Sequence, residues 1–377
     1  MTINSTVLSG YHALRDLDYL IGHQRILLVT DPNISQLPDA QQLTEQLRQA
    51  SDSLTIIDNV PAEPADADVS QLLDTLTHQA IDMVVGIGGG SVLDIAKLLS
   101  VLLDSRNSLT LTDLFAGAQP TSRLRSLLIP TTAGTGSEAT PNAILAVPAQ
   151  QTKVGIISNI MLPDYVALLP ELTVSMPAKI SASTGIDALC HLIECFTASI
   201  GNEVADNYAR IGMRKLFNGI EAVMANPSDL EARLNMLWAS YYGGACIYHS
   251  GTHLVHAMSY PLGGSYHIPH GIANAILLVP CFRHLAPQLS DKLAQVYDLL
   301  DDADLSLSAT DKADRLIDYL DNLVNRLGLP THLSELDIKA DDIPKLATAA
   351  INVKRLIAHM PCAITESELA AIYTHIA

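Results

Sequence analysis

Five of the 13 histidines, His249, His253, His256, His267 and His270, crowd between positions 249 and 270 of the 377-residue sequence. Imidazole is the commonest side-chain metal ligand and the acid–base group of neutral pH, so such density asks for a chemical reason. Upstream, Gly185-Ile186-Asp187-Ala188-Leu189-Cys190-His191-Leu192-Ile193-Glu194 reads as a helix. Asp187 and His191, at i and i+4, then point from one face and make half of a metal site. His256 falls in a helix-like segment, and His270 follows a turn around Pro261, Gly263 and Gly264 that would fold it back toward the same ion. One carboxylate with three imidazoles suits Fe²⁺ or Zn²⁺ with a position open for a substrate oxygen, and is a poor set for Mg²⁺ or Ca²⁺. Each histidine taken singly also has an ordinary hydrogen-bonded role in a core or on a surface. His249 and His253, one turn apart, are expected to form a structural surface pair. His267 is kept as a proton carrier.

A second group of residues could hold an anion. Gly88, Gly89 and Gly90 end an apolar run and open the helical segment Ser91-Val92-Leu93-Asp94-Ile95-Ala96-Lys97. Glycines let the backbone approach a ligand closely, Ser91 can cap the helix, and the N–H groups there attract a diphosphate. The run is not GxGxxG, and a tight strand-to-helix connection would read the same way. Pro130-Thr131-Thr132-Ala133-Gly134-Thr135-Gly136-Ser137-Glu138 is a further backbone-rich loop, suited to phosphate or amide groups or simply to a turn. Asp31 ends the first strand-like run, where a carboxylate accepts from a ribose 2′-hydroxyl and repels a 2′-phosphate. Asp before Pro32 is equally a turn starter.

These residues need a scaffold, and the first half of the chain supplies an alternating one. Strand-like runs at 25–30, 54–57, 81–87 and 126–129 alternate with helical segments at 40–49 and 69–78, the rhythm of a parallel sheet covered by helices. Residues 143–147 and 154–160 read as strands flanking a turn at 148–153. From about 178 onward the segments 178–199, 203–225, 228–248 and 311–327 are long, Ala/Leu-rich and helical. The division expected is an α/β dinucleotide-binding domain over 1–177 and an all-helical metal and catalytic domain over 178–377, sharing one cleft.

Composition narrows the partners. Apolar residues make up 48% and charged ones 16%, a globular balance that leaves no room for a long disordered tract. Forty Asp and Glu against 22 Lys and Arg give a net charge of −18, which repels nucleic acid and anionic lipid. Five scattered cysteines without a CxxC pair suit neither a disulfide framework nor a zinc ribbon, and fit a reducing cytoplasm. No run of about 18 apolar residues and no signal-peptide pattern is present.

GGGSVLDIAK at 88–97, PTTAGTGSE at 130–138, GIDALCHLIE at 185–194 and HAMSYPLGGSYHIPHGIANAILL at 256–278 together resemble, in order, the motifs of the iron-containing (group III) alcohol dehydrogenases. That resemblance implies an N-terminal nucleotide-binding domain, a helical C-terminal domain and hydride exchange between a primary alcohol and NAD(P). The implied metal, usually Fe²⁺ and sometimes Zn²⁺, would be held by Asp187, His191, His256 and His270. The implied cofactor, NAD rather than NADP because of Asp31, would meet Asp31, Gly88, Gly89, Gly90, Ser91, Asp94, Thr131, Thr132, Thr135 and Lys153. A small alcohol or aldehyde substrate and a homodimeric assembly are implied as well. The sequence departs from the family where many members carry a histidine four residues after the third ligand. Here that position is Tyr260, so Tyr260 or His267 would handle the proton. The SYPLGG-YHIPHG form is similar to the 4-hydroxybutyrate dehydrogenase branch, which keeps a hydroxyacid dehydrogenase or hydroxyacid–oxoacid transhydrogenase as alternatives, with Arg283 either a carboxylate anchor or a solvated helix residue. A dehydroquinate synthase type of lyase fits the GTGSE and HIPHG motifs poorly, and a non-catalytic metal- or nucleotide-binding subunit is the remaining alternative.

Overall fold

In the computed structural model the described residues are 5–14, 20–76, 78–147 and 152–377, the side chains of 152 and 153 excepted. They gather into two compact units, Met1–Thr132 with Gly136–Ser175, and Ala133–Thr135 with Met176–Ala377.

The first unit is built on a six-stranded parallel sheet. Its strands are β1 (Thr6–Ser9), β2 (Arg25–Val29), β3 (Ser53–Ile57), β4 (Met83–Gly88), β5 (Arg125–Pro130) and β8 (Tyr165–Leu168), in the order β1-β8-β5-β4-β2-β3. The Leu, Ile and Val runs of the central strands are buried on both faces, as a sheet covered by helices requires. Strand alternation divides them. Leu27, Val29, Val84 and Leu128 pack with Val69 and Leu76 of α2 (Asp66–Leu76) and with Leu93, Ile95, Ala96 and Leu99 of α3 (Gly90–Leu102). Ile26, Leu28, Met83, Val85, Leu127 and Ile129 face the other way, onto Ala40, Leu43 and Leu47 of α1 (Pro38–Ala50). Each such side chain removed from water contributes roughly 1.5–3 kcal/mol. After the short helix α4 (Leu111–Phe115), a separate antiparallel pair follows β5, formed by β6 (Asn142–Val147) and β7 (Thr152–Ile157).

One expectation is corrected here, and two strands are added. The second hairpin strand ends at Ile157 rather than 160, because Asn159–Met161 turns into a 3-10 helix. The edge strand β1 and its neighbour β8 were not expected from the sequence: β1 pairs with β8 in parallel, Thr6 opposite Tyr165 through Ser9 opposite Leu168, and β8 pairs in turn with β5, Leu127 opposite Tyr165. Of the expected turn at 148–153, residues 148–151 lie outside the described residues, whereas 152 and 153 already belong to β7.

The second unit is helical: α5 (Ala178–Thr197), α6 (Glu203–Ala225), α7 (Leu230–His249), α8 (Leu254–Tyr266), α9 (His270–Tyr297), α10 (Ala309–Arg326), α11 (Ile343–Ile351), α12 (Lys354–Ile357) and α13 (Glu366–His375). Asn202, Asp229, Ser308 and Thr365 cap four of these helices by accepting from main-chain N–H groups of the first turn. From Gly185 to Thr197 α5 is buried on every side, so its polar residues there must find partners inside the protein. Cys190, Cys195, Cys246 and Cys281 are buried and Cys362 is partly exposed, all as free thiols. Among the described residues no helix is long and apolar enough to cross a membrane.

Candidate metal centre and nucleotide loop

Asp187 and His191 stand one turn apart on α5, His256 comes from the first turn of α8, and His270 is the first residue of α9. One donor atom from each lies within 4.8 Å of all the others. Asp187 Oδ1 is 3.7 Å from His191 Nε2, 3.8 Å from His256 Nε2 and 3.6 Å from His270 Nε2. The His191 and His256 rings stack with centroids 4.6 Å apart. Asp187, His191 and His256 are buried, whereas the His270 side chain is 41% exposed, so the cluster is open on that side.

The ring nitrogens away from the cluster fix its chemistry. His191 Nδ1 lies 3.2 Å from the Gly134 carbonyl, and His256 Nδ1 meets Glu194 Oε2. Both partners only accept, so Nδ1 carries the hydrogen and Nε2 turns a lone pair toward Asp187. Burial would push the Asp187 carboxyl up, but the imidazoles of His191, His270 and His256 and the Asn274 amide bring it below the ordinary value. Desolvation, with the neighbouring imidazoles of His191 and His270, holds His256 well below the ordinary imidazole value. One carboxylate oxygen and three ring nitrogens thus converge on one point, with Asp187 Oδ1 within 3.8 Å of each ring nitrogen, the arrangement that ligands of one shared cation take. Asn274 Nδ2 donates to Asp187 Oδ1 at 2.7 Å, and its own buried Oδ1 has no partner among the described residues. The donor set therefore fits a divalent transition metal.

Beneath the cluster sits Glu194, fully buried, a residue present in the sequence motif but given no role there. Main-chain N–H groups of Val255 at 2.6 Å and His253 at 3.2 Å donate to its Oε1. Burial raises its pKa, against the pull of these groups and of His253. His253 is not part of a surface pair with His249. It is wholly buried at the start of α8, its Nδ1 accepting from Leu254 N at 2.8 Å and its Nε2 2.9 Å from Thr197 Oγ1. The polar demand of the buried helix start, rather than the i,i+4 spacing, decides its position.

Of the two proton-carrier candidates, Tyr260 is 40% exposed and sets its ring 6.1 Å from that of His270. Desolvation raises its phenol pKa, opposed by the Arg355 guanidinium. His267 caps the end of α8 in the left-handed conformation, φ 54°, and is exposed. Arg283 is an exposed residue of α9.

In the first unit the strand order reverses between β2 and β4, with β3 on one side and β5 on the other. A crevice outside the carboxyl ends of strands at such a switch point is where doubly wound sheets bind ligands. Asp31 follows β2 and the glycines end β4; Thr30 Oγ1 ties the two ends by donating to the Ile87 carbonyl at 2.7 Å. A Cβ on Gly88 would lie 2.5 Å from Val92 Cβ, so no larger residue fits that turn. The helix cap is Gly89, without a side-chain bond, because the Ser91 hydroxyl donates to the Ala62 carbonyl. Ser91 therefore does not cap α3, and the N–H groups of an uncapped first turn suit a diphosphate.

Thr131 N donates to the Gly88 carbonyl at 3.0 Å, and Thr132 lies 3.4 Å from the Cβ position of Gly89, bringing the second loop beside the first. Thr135 is half-buried within the segment that belongs to the helical unit. Asp94 is turned into the protein: it accepts from Ser137 Oγ, from Ile144 N at 2.9 Å and from Lys97 Nζ at 2.9 Å, fastening loop and hairpin to α3. Asp31 Oδ1 accepts from Asn33 N at 2.9 Å and Ile34 N at 3.1 Å, the turn-starting role. Glu138 is buried, its pKa pushed up to about 7 by desolvation, and its Oε1 has no partner among the described residues. Lys153 lies on β7, with its side chain outside the described part.

Comparison with known proteins follows the same division. Residues 4–170 match the family model for iron-containing alcohol dehydrogenase, and 181–377 match that of the C-terminal part of the Fe-containing alcohol dehydrogenase family. The chain is 32% identical over 355 residues to long-chain-alcohol dehydrogenase 1 of Geobacillus thermodenitrificans (strain NG80-2), covering 94% of this chain and 89% of the relative. It is similar to a crystal structure of 1,3-propanediol oxidoreductase at a TM-score of 0.91 and 30% identity, over 99% of this chain and 98% of the other. Sulfoacetaldehyde reductase from Bifidobacterium kashiwanohense, solved in complex with NAD⁺, matches at a TM-score of 0.88 and 26% identity, over 99% and 97%.

Proposed function

The chain belongs to the iron-containing alcohol dehydrogenase family, and on that premise we propose that it interconverts primary alcohols and aldehydes with NAD on Fe²⁺. The balanced reaction is RCH₂OH + NAD⁺ giving RCHO + NADH + H⁺, in which the carbinol hydrogen leaves with its electron pair as hydride and the hydroxyl hydrogen leaves as a proton. When bound, the metal supplies Lewis acidity at the substrate oxygen and the nicotinamide supplies the hydride acceptor.

This chain's residues do the remaining work. Asp187, His191, His256 and His270 hold the ion, with the Gly134 carbonyl and Glu194 fixing two of the rings by their Nδ1 hydrogens. The uncapped start of α3 binds the cofactor's diphosphate through Gly89, Gly90 and Ser91, beside Gly88, Thr131 and Thr132, and Thr135 and Lys153 are proposed as further cofactor contacts. Asp94 holds that loop in place rather than touching the cofactor. The Asp31 carboxylate favours a ribose 2′-hydroxyl and disfavours a 2′-phosphate, hence NAD. Tyr260, with its raised pKa, keeps its hydroxyl proton at neutral pH and acts as a donor at Oη, leaving His267 Nδ1 or Nε2 on the exposed side to pass the proton to water. Five free cysteines suit a reducing cytoplasm, and a homodimer is the assembly proposed.

The observation that carries this reading is the convergence of four donor atoms within 4.8 Å. Its test is nicotinamide reduction by anaerobically prepared protein, stripped and reloaded with Fe²⁺ or Zn²⁺, over short alcohols, diols and hydroxy acids. Asp187→Ala and His191→Ala are expected to lose bound metal and turnover together. Full activity in either variant without metal would overturn it.

A further inference from the structure

Asn274 stands on α9 one turn beyond His270, as His191 stands one turn beyond Asp187 on α5. The two helices pack on each other, and each brings a polar pair at i and i+4 to the donor cluster. The Asn274 side chain is fully buried, and its Nδ2 comes within reach of three of the four donor atoms: Asp187 Oδ1 at 2.7 Å, His270 Nε2 at 3.2 Å and His256 Nε2 at 3.3 Å.

An amide nitrogen carries two hydrogens and cannot serve three acceptors fully, so the shortest contact, to the carboxylate, is the one that it makes best. The other end of the amide is the anomaly. Asn274 Oδ1 is buried without a hydrogen-bond partner among the described residues, and an unpartnered buried acceptor costs stability. A leucine would fill similar space without that cost. What a leucine could not do is donate to Asp187 Oδ1, the atom that lies within 3.8 Å of all three ring nitrogens. The nitrogen end therefore accounts for an amide at this place.

Charge gives the same residue a second consequence. An aspartate has the shape of asparagine and would set a second carboxylate oxygen at the distances that Nδ2 now holds. Imidazole-rich donor sets suit Fe²⁺ and Zn²⁺, whereas added carboxylate oxygens suit Mn²⁺ and Mg²⁺. With a neutral amide there, the cluster keeps a single carboxylate.

We propose that Asn274 is a positioning residue of the metal centre: by donating to Asp187 Oδ1 it aims that oxygen at the three imidazoles, and by being neutral it holds the centre to one carboxylate and so to the metals that imidazole prefers. This rests on the reading of the donor cluster as a metal centre.

The test is the affinity of stripped wild-type protein, Asn274→Ala and Asn274→Asp for Zn²⁺ and for Mn²⁺, each by chelator competition, with circular dichroism to check folding. Loss of a hydrogen-bonded partner of a ligating side chain typically weakens metal binding 10–100-fold, so Asn274→Ala is expected to lose about that factor for both ions and to keep their ratio. Asn274→Asp is expected to raise the Mn²⁺-to-Zn²⁺ affinity ratio about tenfold, a change of preference that a mere loss of packing, weakening both ions alike, does not produce. Wild-type affinity for both ions in Asn274→Ala, or an unchanged ratio in Asn274→Asp, would overturn the inference. If Asn274→Asp does not fold, Asn274→Ala still decides the positioning role. Wild-type protein that binds neither ion would overturn the metal reading itself, and the inference with it.

Discussion

Glu194 and His256 are joined through Oε2 and Nδ1 although neither side chain meets appreciable solvent, and the other Glu194 oxygen is occupied by the main-chain N–H groups of Val255 and His253. One buried carboxylate thus orients an imidazole and closes the first turn of α8. Removing such a partner of a ligating histidine typically costs 10–100-fold in metal affinity. Glu194→Leu is expected to weaken Fe²⁺ or Zn²⁺ by about that factor in chelator competition. It should also lower the melting temperature of the metal-free protein, since two N–H donors lose their acceptor at about 1–3 kcal/mol each. Glu194→Gln keeps an acceptor and should spare most of the stability.

Gly134 serves His191 as Glu194 serves His256, but with a main-chain carbonyl. A Cβ at this position would lie 2.7 Å from Thr184 Cβ and 2.9 Å from the Thr184 carbonyl oxygen. Gly134→Ala must therefore displace the loop on which the His191 Nδ1 acceptor sits. The expected result is a loss of about 1–3 kcal/mol in stability from overpacking together with weaker metal binding. Denaturant melts and metal titration of the same preparation would check both, and wild-type metal affinity in this variant would contradict the role given to the Gly134 carbonyl.

Asp31 does two things with one side chain, and Asp31→Asn separates them. The amide oxygen can still accept from Asn33 N and Ile34 N, so the turn survives, while the negative charge is gone. The ratio of kcat/KM with NADP to that with NAD is expected to rise about tenfold, an energy near 1.4 kcal/mol. No change would mean that the carboxylate lies away from the adenosine ribose.

Glu138 makes stability depend on pH in the sense opposite to an ion-paired acid. Its folded pKa of about 7 lies above the ordinary 4.5, with desolvation as the main cause. Below the ordinary value both states carry the proton and nothing is lost. Between the two values the unfolded chain releases the proton while the folded protein keeps it, so stability falls as pH rises; above about 7 the loss is complete, of the order of 3 kcal/mol. Glu138→Gln has no such proton. Its melting temperature relative to wild type should climb between pH 4.5 and 7 and then level off, and a difference that stays flat across this range would contradict the buried, protonated carboxyl.

The metal half-site was legible because its information is local. Asp187 and His191 sit one helical turn apart, and that spacing alone sets both on one face. Central strands were legible for the same reason, since β2, β4 and β5 are unbroken apolar runs between turn residues. Glu194 received no role because its function depends on Nδ1 of His256, brought to it only when α8 packs on α5. Ser91 misled because serine near a helix start is usually a cap, whereas here α3 begins at Gly90 and the hydroxyl is taken by Ala62. β1 and β8 had too few residues to show a period, and only their places in the sheet, β8 between β5 and β1, make them strands.

The distribution of the cysteines has a practical side. Burial raises the pKa of Cys190, Cys195, Cys246 and Cys281 and hides their sulfurs, leaving neither thiolate nor access for an alkylating reagent. Cys362, in the partly exposed stretch between α12 and α13, is the one thiol such a reagent meets in the folded protein. The native chain therefore carries a ready attachment point for a single fluorophore or spin label, and no cysteine has to be removed to use it.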